Sequence, residues 1–141
     1  MALYLDASCL VPLVVPEPST AALTALLEQS SEDATLSDYG LGEAASAVSR
    51  KVRERRLTAE QGLGALRQFD EWVAIVATLV DSRPSDVRRA TQLVRQFELK
   101  LRLPDALHIA ICEHRRAKLV TRDILMAEAA EAIGIPVLRP D

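Results

Sequence analysis

Leu3-Tyr4-Leu5-Asp6-Ala7-Ser8 is the stretch on which the fold turns. An apolar run too short for a helix and closed by an acid reads as a strand buried on both faces, as at the centre of a parallel sheet. Leu119-Val120-Thr121-Arg122-Asp123 repeats the form near the other end of the chain. Between them, Ala34 to Ser37 is a weaker strand. A β-leaning run from Ile75 to Val80 ends at Asp81, and Pro136 to Leu138 closes the series.

Helical spacing fills the gaps. Ser8 is placed to cap a brief helix carrying Cys9, Leu10 and Leu13, and after the break at Pro16-Glu17-Pro18-Ser19 a second helix carries Leu23, Leu26 and Leu27 to near Ser30. A third runs from Asp38 to about Arg56, with Leu41, Ala45, Val48 and Val52 as its stripe. Thr58-Ala59-Glu60-Gln61 reads as a capping box ahead of Leu63, Leu66, Phe69 and Val73. Val87, Ala90, Val94 and Phe97 mark a helix after Pro84, Leu103-Pro104-Asp105 opens another, and Ile124 to Ile133 is closed by Gly134. The pattern predicts one α/β domain over residues 1–141, a three-layer α/β/α sandwich around a mainly parallel sheet of about four to five strands.

At 49% hydrophobic, 141 residues suffice for one core without staples, and the two distant cysteines, Cys9 and Cys112, form neither a disulfide framework nor a CxxC metal pattern. There is no signal-peptide pattern at the N-terminus and no apolar stretch of membrane-spanning length, so a cytoplasmic protein is expected. A net charge of −3 argues against a protein that coats nucleic acid, although it leaves room for a local basic groove.

In such sheets the functional crevice lies beyond the carboxyl ends of the strands, which is where Asp6 and Asp123 fall. Asp6 reads either as a hard-metal ligand or as a turn aspartate, and Ser8 as a helper or a cap. Asp105 shares a face with His108 and Cys112 on an apolar helix. His108 reads as a hydrogen-bonded histidine rather than a ligand, since no second histidine sits at ligand spacing. Asp123 and Thr121 face one crevice if the strand persists, with capping as the alternative for Asp123 and a solvent-facing Arg122. Glu43 lies nearly opposite the apolar stripe of its helix and competes with Asp38 as a site carboxylate. Arg50, Lys51 and Arg53, followed by Arg55 and Arg56, form the densest basic run, either a guide for a polyanion or a solvated helix end. Three or four carboxylates without a His or Cys set suit Mg²⁺ or Mn²⁺, and such oxygen-only sites serve phosphate chemistry. No GxxxxGKS loop supports ATP hydrolysis.

Over essentially its whole length the chain resembles the PIN-domain ribonucleases, and within them the VapC-like toxins of toxin-antitoxin pairs. Leu5-Asp6-Ala7-Ser8 is similar to that family's first motif and Leu41-Gly42-Glu43-Ala44 to its second. Leu103-Pro104-Asp105-Ala106-Leu107-His108-Ile109-Ala110 is similar to the third, and Val120-Thr121-Arg122-Asp123 to the fourth. The resemblance implies a PIN-like fold in which Asp6, Glu43, Asp105 and Asp123 ligate Mg²⁺ or Mn²⁺ directly or through water, with Ser8 and Thr121 in support. It further implies hydrolysis of single-stranded RNA regions leaving 5′-phosphate and 3′-hydroxyl ends, a homodimer, and a cognate antitoxin whose tail occupies the acidic groove. Arg122 departs from the family pattern, a difference expected to bear on access rather than ligation. Two other readings remain beside this one. One is a PIN-like module that binds RNA or protein without catalysis. The other is aspartyl-phosphate chemistry at Asp6, which lacks the second aspartate and the strand-ending lysine it needs.

Overall fold

The computed structural model describes residues 1–140; the last residue of the expected 1–141 domain, Asp141, lies outside the described residues. β1 (Leu3–Leu5) is fully buried and occupies the centre of a five-stranded sheet. Its neighbours are β2 (Ala34–Ser37) and β4 (Lys118–Val120), with β3 (Ala77–Val80) and β5 (Val137–Leu138) at the edges in the order β3-β2-β1-β4-β5. All four pairings are parallel.

Side chains of a strand alternate between faces, and in β1 this alternation divides the molecule. Leu3 and Leu5 enter one core with Leu10, Leu23, Leu36, Val48 and Phe69, beneath α1 (Ala7–Val14), α2 (Thr20–Gln29), α3 (Asp38–Arg53) and α4 (Ala59–Val76). Tyr4 enters the other with Leu93, Ile109, Ile111, Leu119 and Met126, beneath α5 (Pro84–Val94), α6 (Leu103–Arg115) and α7 (Ile124–Ala132). A three-residue strand thus commits both helical layers. In α6 every residue from Ala106 to Cys112 is buried, as expected of a helix apolar nearly all round, and α7 ends ahead of Gly134 at φ 87°.

Several local readings are corrected. Ser8 lies inside α1, and Asp6 holds the N-cap position without spending its side chain on a cap. The buried face of α3 is Gly40, Ala44 and Val48 rather than the stripe through Ala45, and the helix stops at Arg53. Gly40 belongs to that face because the helix comes close there: a Cβ would stand 3.1 Å from Leu10 Cδ1 and 3.6 Å from His108 Cε1. The capping box at Thr58 and Gln61 is formed, but Leu63 is exposed while Gly62 meets Val48 and Val52. Ile75 and Val76 continue α4, with Ile75 82% exposed, because the start signal at Thr58 outweighs their β propensity. In α5 Ala90 is buried as expected, but Val87 and Phe97 are exposed and Asp86 and Leu93 take the buried face with it. Both cysteines are free and buried; burial raises both thiols, Cys112 to about 12.

Candidate active site

Asp6 follows β1 directly, and its amide still bonds Val120 O across the sheet. Its side chain is 1% exposed and is bracketed by two hydroxyls: Ser8 Oγ donates to Oδ1 and Thr121 Oγ1 to Oδ2, both at 2.7 Å. The hydroxyls serve the neighbouring backbone too. Ser8 Oγ accepts from Arg122 N at 3.0 Å and Thr121 Oγ1 from Asp123 N at 3.0 Å. The bracket therefore ties the start of α1 to the turn after β4. Burial pushes the Asp6 carboxyl above its ordinary range, while the two hydroxyls oppose that shift.

Asp105 sits in the first turn of α6, where burial raises its carboxyl and the Asp123 charge adds to that rise; Arg102 pulls against it, and Glu43 pushes again. Asp105, Asp123 and Glu43 thus lie in one electrostatic field. Asp123 also takes its capping alternative: β4 ends at Val120, and Asp123 Oδ1 accepts from Met126 N at 3.1 Å at the start of α7. Arg122 is only half-exposed, with its guanidinium 3.7 Å from Glu17, contrary to the expected solvent-facing position.

Glu43 is not opposite the core. On the corrected face of α3 it flanks Ala44, and its Oε1 bonds His108 Nε2. The His108 imidazole, 2% exposed, is bonded through Nδ1 to Tyr4 Oη at 2.7 Å, and Tyr4 Oη to Ser37 Oγ at 2.9 Å. Sequence reasoning noted the stripe through His108 but missed Tyr4 and Ser37. The available signal was Tyr4 itself, the one polar atom in an otherwise apolar central strand, which needs a buried partner. Asp38 turns away to Ser82; its desolvation is outweighed by hydrogen bonds from Ser82 and Tyr39, which hold its carboxyl below the usual range.

Among the described residues no three His, Cys, Asp or Glu side chains are drawn into a metal-holding group. The expected four-carboxylate cluster is in this respect looser than the sequence suggested. Three of the four acids have a compensating donor of their own: two hydroxyls for Asp6, an imidazole for Glu43, a helix amide for Asp123; Asp105 has only Arg102, 3.7 Å away. The donor chemistry nonetheless fits a hard cation. It offers carboxylate oxygens alone, and the Asp123 charge adds to the cost of ionising Asp105, a cost that a divalent ion would relieve.

Arg50, Lys51 and Arg53 lie apart from the acids, at the end of α3, lining with Arg56 and Ser46 a depression of about 400 Å³. Ser46 also borders a second depression, about 490 Å³, whose walls include Tyr39 and Glu43. The two meet along α3. A mostly apolar cavity of about 590 Å³ opens between Leu13, Leu27, Phe69 and Trp72, and none of the four acids lines it. No helix among the described residues is long and apolar enough to cross a membrane.

A family model described as the PIN domain matches residues 3–132, so the chain belongs to the PIN domain family. Its fold is shared with solved toxin-antitoxin proteins at low sequence identity. VapBC2 from Rickettsia felis, bound to a DNA fragment from its promoter, is 18% identical over 99% of this chain and 98% of that one, with a TM-score of 0.74. FitAcB from Neisseria gonorrhoeae gives 16%, 98% and 97%, and 0.77. Mycobacterium tuberculosis VapC20, a Sarcin-Ricin loop cleaving toxin, gives 16%, 95% and 96%, and 0.72. A search of curated proteins returns no significant match.

Proposed function

We propose that this chain is a metal-dependent endoribonuclease, the cytoplasmic toxin of a toxin-antitoxin pair. The observation that carries the reading is Asp6, held by Ser8 and Thr121 at the carboxyl end of the central strand, with Asp123 just past the carboxyl end of the neighbouring β4 and Asp105 within reach of the Asp123 charge. The structural likeness to VapBC and FitAcB supports an antitoxin partner, and the likeness to VapC20 supports RNA as substrate. Asp6, Asp105, Asp123 and Glu43 would hold Mg²⁺ or Mn²⁺, directly or through water. Such an ion supplies positive charge against the phosphodiester and acidifies the attacking water. Ser8 and Thr121 donate to the two Asp6 oxygens, which favours the ionised form against burial and aims the carboxylate, and Thr121 couples it to the Asp123 backbone. Purified protein is expected to cut RNA with Mg²⁺ or Mn²⁺, leaving 5′-phosphate and 3′-hydroxyl ends, to stop on chelation and to resume when Mn²⁺ is restored. Cutting that persists in chelator would remove the metal from the scheme.

RNA reaches the acids along α3, from Arg50, Lys51 and Arg53 past Ser46 to Glu43. Arg50 also pairs with Glu54 at 3.3 Å, but both side chains are exposed, so the pair is weak and yields to phosphate. Arg50→Gln with Arg53→Gln should weaken binding of unrelated RNAs alike and flatten the salt dependence by about two phosphate contacts. An unchanged slope measured by fluorescence anisotropy would move the path elsewhere. A homodimer is the expected assembly.

The loosely gathered acids favour one second reading, a PIN module that binds without cutting. Calorimetry without Mg²⁺ or Mn²⁺ uptake, free and with RNA, would select it. Aspartyl-phosphate chemistry is disfavoured because both Asp6 oxygens are buried and bonded.

A further inference from the structure

We infer that His108 is a positioning residue for Glu43, locked as the Nε2–H tautomer by a buried relay through Tyr4 and Ser37, so that the imidazole sets where the Glu43 carboxylate points. The inference rests on the metal-site reading above for its consequence, though not for its geometry.

Counting hydrogens fixes the relay's direction. Gly40 N donates to Ser37 Oγ at 2.9 Å, which leaves Ser37 one hydrogen to give. The remaining partner of Ser37 Oγ among the described residues is Tyr4 Oη at 2.9 Å, so Ser37 donates and Tyr4 accepts. Tyr4 then sends its own hydrogen to His108 Nδ1 at 2.7 Å, and the ring carries its hydrogen on Nε2, facing Glu43 Oε1. Reversing the chain strands the Ser37 hydrogen in a fully buried site and, in the neutral ring, turns a bare Nε2 lone pair toward a carboxylate. One direction satisfies every group.

The ring is also held mechanically. Tyr4 and Tyr39 pack against it at centroid distances of 5.8 Å and 5.4 Å, and the absent side chain of Gly40 leaves room for Ser37 Oγ, to which a Cβ would come within 3.3 Å. Glu43, by contrast, projects from α3 on a flexible side chain and is only partly buried, so its direction has to be imposed. The parts of the relay are already tied to the other acids: Tyr4 stands two residues before Asp6, and His108 one helical turn after Asp105.

The test uses the full chain, ¹⁵N NMR of His108 and Mn²⁺ calorimetry. The wild type should show a protonated Nε2 and an unprotonated, hydrogen-bonded Nδ1. Tyr4→Phe keeps the ring in the core and removes the lock. The other tautomer should then become populated, Mn²⁺ affinity should fall by about 10-fold or more, and RNA cleavage should fall through kcat with little change in KM. His108→Leu should lose as much, and His108→Gln, which restores a donor toward Glu43, should recover part of it. A proton on Nδ1 in the wild type overturns the inference, as does a folded Tyr4→Phe protein with unchanged tautomer and Mn²⁺ affinity. If the wild type takes up no Mn²⁺ and cuts no RNA, the nuclease reading is what fails, and the nitrogen spectra still decide the relay.

Discussion

Asp105→Asn is expected to lower RNA cleavage by on the order of 1,000-fold while raising the melting temperature of the metal-free protein at neutral pH. The first effect follows from removing one formal charge from a site whose purpose is to hold a divalent cation, a contribution worth several kcal/mol in the transition state. The second follows from the direction of the shift. Burial, with the Asp123 charge behind it, raises the folded-state pKa of Asp105 above its ordinary value. A group shifted upward stabilises the fold fully below its unfolded pKa, and that contribution is lost as pH rises through the folded pKa. At pH 7 the ionised carboxylate is therefore a cost, and asparagine removes it. The salt bridge given up is slight: Arg102 stands 3.7 Å away with its side chain largely exposed.

Melting curves across pH separate this account from simple repair of a surface. The advantage of the variant should shrink as pH falls toward the unfolded carboxyl value of about 3.9, because the wild-type carboxyl takes up its proton on the way. Asp6 is raised in the same direction by burial, so the wild-type metal-free protein should itself become more stable as pH falls from 8 toward the upper carboxylate range. A variant that cuts RNA within tenfold of wild type would remove Asp105 from the catalytic set. One that is inactive without being more stable would contradict the electrostatic explanation and leave the catalytic one standing.

The second large effect is on the fold alone. Leu119→Ala should cost about 2–5 kcal/mol, a large part of the roughly 5–15 kcal/mol that holds a domain together. Leu119 is fully buried in β4, beside Tyr4 in the register of the sheet and within the core that includes Ile109 and Met126. A strand between two neighbours cannot collapse into the cavity, which places the cost in the upper part of the range. Denaturant titration gives the number, and the melting point should fall by on the order of 10 °C. Ile124→Ala supplies the contrast: at 55% exposed it should cost about 0.5 kcal/mol or less. Equal losses at the two positions would contradict the placement of the core.

Those two positions also show what could be read in advance. Leu119 was legible because a run without polar interruption has one reading in a parallel sheet, and the same logic found Leu3 to Leu5 and with them Asp6. Helix faces were less legible where glycine does the packing. Gly40 and Gly62 count for nothing in a hydrophobic stripe, yet Gly40 lets α3 pack close to Leu10 of α1 and Gly62 lets α4 pack close to Val48 and Val52 of α3, and α3 was misoriented as a result. Glu43 then fell on the wrong side. Its placement depends on His108, 65 residues away, and no local pattern encodes such a partner. Ile75 and Val76 misled for a different reason, since β-branched residues at the end of a well-started helix look like the strand that follows.

The position of β1 in the sheet has a further consequence during synthesis. The strand pairs with residues 34–35 on one side and 118–120 on the other, and the Asp6 bracket closes only on Thr121. A nascent chain emerging in order can seat one flank of β1 early, while the other flank stays open until β4 has been made. Asp6, made long before Thr121, is therefore set in place only late, and a chain interrupted before Thr121 carries Asp6 without one of the hydroxyls that hold it.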